Sequence, residues 1–278
     1  MEKDDNALLA FERGIVHIGQ NLASALRSLR DPHKPRILWC DSICINQHDL
    51  EERFAQVQRM HEIFHYARSV IVWMGPETQW SVLLMETLRW VRTHVEKASF
   101  DMILQRYRYT FACTPDQCFR GNYNAMPLST DQWRAGEQFL SMDWIKRLWT
   151  CQEIILANQE TSIVRIGKEE MQWAKLKDVL TFICYYGTTP SGSLLDPRTY
   201  VSNADMFQIK IVACGYPLWD EWITPLNMLN GFQCTDGRDR VFAVYGLVEP
   251  EVSKEIKADY TKTIKELFTS VCFSYIKR

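Results

Sequence analysis

The chain has 278 residues, 46% hydrophobic and 24% charged, a balance that suits a folded globular protein and excludes a disordered one. A formal net charge of −2 argues against a broad basic surface for nucleic acid, and no apolar run reaches the ~20 residues that span a bilayer. Nine cysteines without a CxxC pair point to neither a zinc ribbon nor a thioredoxin-type site, and a start lacking signal-peptide character makes the cytoplasm the expected compartment.

In chain order, GIVHI (14–18) is predicted as a short strand after a polar start. NLASALRSLR follows as a helix, with Asn21 as its cap and Leu22, Ala25, Leu26 and Leu29 on one face. RILWCDSICI (36–45) is apolar with little alternation, the pattern of a strand covered on both faces. Residues 50–68 are charged at the start and amphipathic, hence helical, and SVIVWMG (69–75) is a second buried strand closed by Gly75-Pro76. Strand, helix and strand within ~40 residues make the βαβ unit of a parallel sheet. Beyond it come a helix over 80–97, a loop-rich insertion at about 108–130, helices at 129–141 and 143–158, and a strand at 161–167. A turn-forming stretch (187–197) precedes a mostly helical remainder ending in an amphipathic segment at 261–276. The expected fold class is α/β: a core over 14–167, with a helical and loop insertion at about 76–140, and a mostly helical extension over 168–278.

Four constellations could carry chemistry. In RLWTCQEIILA (147–157), Trp149 and Glu153 lie four residues apart and share one helix face. A carboxylate followed by Ile154, Ile155 and Leu156 must find a partner, face solvent or line a cavity, since unpaired burial is costly. An indole beside it could wall a pocket whose poor solvation raises the acid toward a useful range. A surface Glu on an ordinary amphipathic helix fits the residues equally well.

The second constellation is Asp41, Asn46, Gln47 and Asp49, expected outside the carboxyl end of the first clear strand, where open parallel sheets bind ligands. Arg53, on the arc of Val57, Met60 and Phe64, is the candidate partner of Asp41, in a structural pair or a functional one. The third is His61, Glu62 and His65, which spell HExxH, with Glu86 as a distant third ligand. Both histidines project near the edge of the apolar face, so a solvated edge is the plainer reading than a zinc peptidase. The fourth is TDGRDRVFAVYGL (235–247), where Asp236-Gly237 makes a turn and Asp239 can cap or complement a helix start; that leaves the density of Asp236, Arg238, Asp239 and Arg240 unexplained.

Together these segments resemble the HET (heterokaryon incompatibility) domain of filamentous fungi. NLASALRSLR is similar to the family's NL-x-x-AL-x-x-LR helix, and LWCDSICINQHDLEERFAQVQRM to its ICINQ…ER-x-x-QV-x-x-M signature. ARSVIVWMG, RLWTCQE, TDGRDRVFAVYGL and ADYTKTIKELF resemble its later motifs, so the likeness covers most of 21–268. The SY-x-WG strand with which the family opens has no counterpart here.

The resemblance extends to TIR domains and implies a flavodoxin-like parallel sheet with flanking helices. It implies Glu153 as the catalytic residue, with Trp149, Asp41, Asn46, Arg53 and Arg147 around a nucleotide pocket and Asp239 and Arg240 in a secondary motif. No resident cofactor or metal is implied; NAD enters as a substrate. The implied role is a trigger of cell death in fungal self/non-self recognition, acting with itself or with a fused or partner signalling domain. A non-catalytic, self-associating module is the alternative.

Overall fold

The computed structural model describes residues 6–11, 14–101, 106–111, 128–186 and 221–277. The start of the chain forms an antiparallel hairpin of β1 (Asn6–Phe11) and β2 (Gly14–Gly19), with Asn6 opposite Gly19 and Phe11 opposite Gly14. The sequence reading found only the second strand. In NALLAF, Ala7 points inward while Leu8 stays 64% exposed, an alternation too short and too small in side-chain size to announce itself. α1 (Gln20–Leu29) follows without a break. Its N-cap is Gly19, so Asn21 lies inside the helix and caps nothing. Ala23 joins Ala7 and Ile18 in a small apolar cluster apart from the main core. Ser28 anchors α1 to the body of the protein: its Oγ donates to the Gly167 carbonyl (3.0 Å), and Arg165 donates to the Ser28 carbonyl (3.2 Å).

The largest departure from expectation is at 36–45, which forms no strand. Residues 35–40 run without sheet pairing, with Ile37 fully exposed, and the chain then coils into the single turn α2 (Asp41–Cys44). An apolar run becomes a strand only beside a partner, and the partner is taken elsewhere. β3 (Ile71–Trp73) pairs in parallel with β6 (Ile163–Ile166), Ile71 opposite Ile163, and β6 pairs antiparallel with β7 (Glu169–Gln172). The parallel pair is therefore closed through everything between 73 and 163, not through one crossover helix. β7 is a strand in the part expected to be helical.

α3 (Leu50–Tyr66) begins where Asp49 accepts the N–H groups of Glu51 and Glu52 at 3.0 and 3.1 Å. α4 (Gln79–His94) leads into a second hairpin, β4 (Val95–Asp101) with β5 (Arg106–Phe111). Residues 108–111 are thus strand where loop was expected. The rest of that insertion up to 127, and the turn-forming 187–197, lie outside the described residues. α5 (Thr130–Leu140) opens on a capping box between Ser129 and Gln132.

The single helix expected over 143–158 is two, α6 (Asp143–Lys146) and α7 (Trp149–Ile155). The break at Arg147 is a backbone exchange. Leu148 N–H donates to the Gln233 carbonyl at 2.8 Å, and Gln233 N–H to the Lys146 carbonyl at 2.6 Å. α8 (Trp173–Tyr186), α9 (Ile223–Met228), α10 (Asp239–Phe242), a 3-10 turn (Tyr245–Leu247), α11 (Pro250–Ser253) and α12 (Ile264–Ile276) complete the described elements.

The molecule is a mixed α/β protein with small sheets and many helices. One apolar core runs through Val57 and Met60 of α3, Val72, Leu84, Cys151, Ile154, Val164, Val241 to Val244 and Leu267, so the C-terminal helices share it with the elements before them. Among the described residues no helix is long and apolar enough to cross a membrane.

The contact between α3 and the 3-10 turn requires a glycine. A Cβ on Gly246 would lie 2.3 Å from His61 Cβ and 2.6 Å from Leu156 Cδ1. Gly246→Ala therefore pushes α3 and the turn apart and is expected to cost about 2 kcal/mol or more as an overpacked core. A lowered urea midpoint at unchanged slope measures it.

Candidate functional site

α7 holds the centre of the site because its inner face is sealed. Cys151, Gln152 and Ile154 are fully buried. The Gln152 amide bridges two elements, donating to the Ala243 carbonyl at 3.0 Å and accepting the His61 N–H at 3.1 Å. With its inward side pinned between α3 and the chain after α10, α7 turns Trp149 and Glu153 to the other side, one turn apart.

Glu153 is half-buried and, among the described residues, takes no hydrogen bond and no ion pair. Its carboxyl pKa is raised from 4.5 to about 7, chiefly by burial, with Arg147 opposing the rise and Asp41 adding to it. Protein thus surrounds this acid closely while some of its surface stays open to solvent. It is neither a free surface acid nor half of a sealed salt bridge.

The residues expected around it divide into two sets. Asp41 is exposed and lies at the start of α2, not at the end of a strand; its Oδ1 accepts the Ser42 N–H at 2.7 Å. It does not pair with Arg53, but it stands close enough to Glu153 to disfavour a second negative charge. Asn46 is spent on local structure: its Oδ1 accepts the His48 N–H (3.2 Å) and its own N–H donates to Glu52 (3.1 Å). Gln47 Nε2 donates to the Asp41 carbonyl at 3.3 Å, so the ICINQ stretch is a folded turn leading into α3. Arg147 is exposed, in the extended link before α7.

The second set converges on Asp239. Its carboxylate, almost fully buried, accepts the Trp149 indole N–H at 3.1 Å and the Tyr260 hydroxyl at 2.5 Å. Burial raises the Asp239 pKa, while the two hydrogen bonds oppose the rise. The Arg53 guanidinium lies 4.4 Å from the Tyr260 ring centroid, and Phe54 and Phe242 pack on the same ring at 5.5 and 4.9 Å. Arg53 therefore finds a ring, not Asp41. Arg238 pairs with Asp236 at 2.7 Å and donates to the carbonyls of Tyr260 and Lys262. Arg240 donates to the carbonyls of Leu229 (3.2 Å) and Asn230 (2.9 Å). This accounts for the charge density of the TDGRDR stretch: Asp239 stands in the first turn of α10 rather than at its N-cap, and the motif is a clamp that fixes Trp149 from behind. Tyr260 was missed as a site residue by sequence reasoning. Its only sequence signal is the Asp-Tyr pair inside ADYTKTIKELF.

The HExxH residues lie elsewhere. His61, Glu62 and His65 line a cleft of about 630 Å³ between α3 and the 245–254 segment; His65 is exposed, as a solvated edge requires, while His61 is half-buried. His61 Nδ1 is sealed without a partner and burial lowers the pKa of the ring, while Glu62 pairs with Arg59 at 2.9 Å. Glu86 is exposed on α4, outside that cleft. Among the described residues no group of three His, Cys, Asp or Glu side chains is placed to hold a metal ion.

Comparison with known proteins adds to this geometry. The family described as Heterokaryon incompatibility protein (HET) matches residues 2–153. The chain is also similar to heterokaryon incompatibility protein 6, OR allele, of Neurospora crassa, 26% identical over 298 aligned positions that cover 95% of this chain and 43% of the relative. It thus spans less than half the length of that relative. No solved structure matches.

Proposed function

The chain belongs to the heterokaryon incompatibility (HET) family, and from that premise we propose that it is an effector of fungal incompatibility whose Glu153 site cleaves NAD or a related nucleotide. The name of the Neurospora relative supports the role in incompatibility. The cleavage is carried by one observation: Glu153 is desolvated, unpaired and poised at about 7, one helical turn from a clamped indole. The parallel β3–β6 pair with helices around it fits a TIR-like frame, and exposed Arg147 offers a guanidinium to substrate phosphate.

In this reaction the bond between the ribose and the nicotinamide nitrogen breaks, and its electron pair leaves with nicotinamide. Positive charge develops on the sugar, and water supplies the hydroxyl and releases a proton. An ionised Glu153 in a poorly solvated recess stabilises that charge more strongly than a carboxylate in water. The working form is the anion, so turnover rises with pH through about 7 and levels off above it.

Concentrated, self-associated protein incubated with NAD and followed for nicotinamide release tests the reading. Loss of at least a hundredfold in Glu153→Ala supports it; no release by wild type, or equal release by the variant, sinks it. A non-catalytic self-associating module is the second reading. It is favoured by α12, which leaves Ile264, Phe273, Tyr275 and Ile276 between 46% and 74% exposed. That reading wins if Glu153→Ala still kills cells while Phe273→Asp does not.

A further inference from the structure

A groove of about 370 Å³ opens between the β1–β2 hairpin, α1 and the unpaired stretch after α1. Its floor is aliphatic, made by Leu8, Leu9, Ile18, Leu26, Leu29 and Leu38. Leu8 and Leu38 keep 64% and 38% of their surface exposed. Around the floor stand Arg27, Arg30, Lys34 and Arg36. All four are exposed, and none makes an ion pair or a side-chain hydrogen bond among the described residues. Asp31 is the one acid lining the groove, and its Oδ1 already accepts the N–H groups of His33 (2.9 Å) and Lys34 (3.2 Å).

In a chain of net charge −2, this rim concentrates positive charge that no ion pair among the described residues neutralises. Clustered like charges repel one another, and leucines left in water forgo the gain of burial. One kind of occupant resolves both: apolar side chains for the floor and carboxylates for the rim. A flat bilayer surface would meet the cations without entering the groove between them. A helix about 10 Å across presents a narrow apolar stripe flanked by charge.

We infer that this groove docks an acidic amphipathic helix of a partner protein, its aliphatic stripe on Leu8, Leu26 and Leu38 and its carboxylates on Arg27, Arg30, Lys34 and Arg36. The surface is separate from the Glu153 site and the inference stands whether or not that site is catalytic.

Fluorescence anisotropy on the full chain tests it with a labelled synthetic helix that places leucine on one face and glutamate on the other. Controls are the same composition scrambled, the same helix with lysine for glutamate, and phosphatidylserine vesicles. Binding at least tenfold tighter than either control peptide, weakening as salt rises, is the expected result. Arg30→Glu combined with Arg36→Glu should abolish it, and so, separately, should Leu8→Asp at an exposed position, with circular dichroism and melting unchanged. Equal binding of the scrambled peptide, or no binding, overturns the inference. Capture by vesicles alone would assign the surface to membrane and overturn it too, as would concentration-dependent dimers abolished by the double charge reversal.

Discussion

Replacing Glu153 with glutamine is expected to stabilise the protein, and to do so only above acidic pH. The folded chain holds this proton up to about pH 7, whereas an ordinary glutamate releases it near 4.5. Between those values the folded state binds more protons than the unfolded one, so stability falls as pH rises through that window. The rise corresponds to about 3 kcal/mol of ionisation cost, and the solvent access that Glu153 retains reduces it to about 2 kcal/mol. A neutral amide of the same shape avoids the cost. At pH 8 the melting temperature of Glu153→Gln should exceed wild type by roughly 4–8 °C, and at pH 4 the two should coincide. An equal gain at both pH values would show that shape, not charge, is responsible, and a loss at pH 8 would mean the carboxylate has a stabilising partner. A side chain that weakens the fold in its ionised form and is nonetheless present is a mark of function, because stability alone would select against it.

The second large effect is expected at Asp239. Asp239→Ala strands the indole N–H of Trp149 and the hydroxyl of Tyr260, and it removes the negative charge beneath the stack in which Arg53 covers Tyr260. Hydrogen bonds to charged groups contribute about 1.5–3 kcal/mol each, and a stranded buried donor costs a further share. A loss of about 3–5 kcal/mol in urea unfolding is expected. Asp239→Asn, which still offers one carbonyl oxygen, should recover about half. A double-mutant cycle of Asp239→Asn with Trp149→Phe should show coupling of about 1 kcal/mol. If Asp239→Ala unfolds within about 0.5 kcal/mol of wild type, the clamp is not a clamp.

What the sequence disclosed follows a physical division. Helices with local signals were legible: α3 has Asp49 as its cap and Val57 and Met60 on one face, and α12 begins at a Thr263–Glu266 capping box. The strand at 163–166 was legible from its β-branched run. Features decided by distant partners were not. RILWCDSICI has strand-like composition, but among the described residues it pairs with no strand, and Leu38 helps wall an open groove instead. Nothing near Arg147 announces that Gln233 will split one helix into two.

The site shows the same division. The Trp149–Glu153 spacing is local and was readable, whereas the sequence left open whether Glu153 pairs, faces solvent or lines a cavity, and its half-buried, unpaired setting depends on packing. The assignment of Arg53 to Asp41 failed because proximity in sequence suggested a partner that space does not provide. The real one, Tyr260, comes from the far end of the chain.

The order in which the polypeptide emerges during synthesis gives these long-range closures a kinetic meaning. β3 has no neighbour to pair with until β6 has been made, and the indole of Trp149 has no acceptor until the stretch through Tyr260 follows. Loops that large close slowly, and partners that arrive late leave earlier strands waiting with unpaired edges. Translation should therefore deliver a nascent form in which β3 is unpaired and Trp149 is not yet clamped.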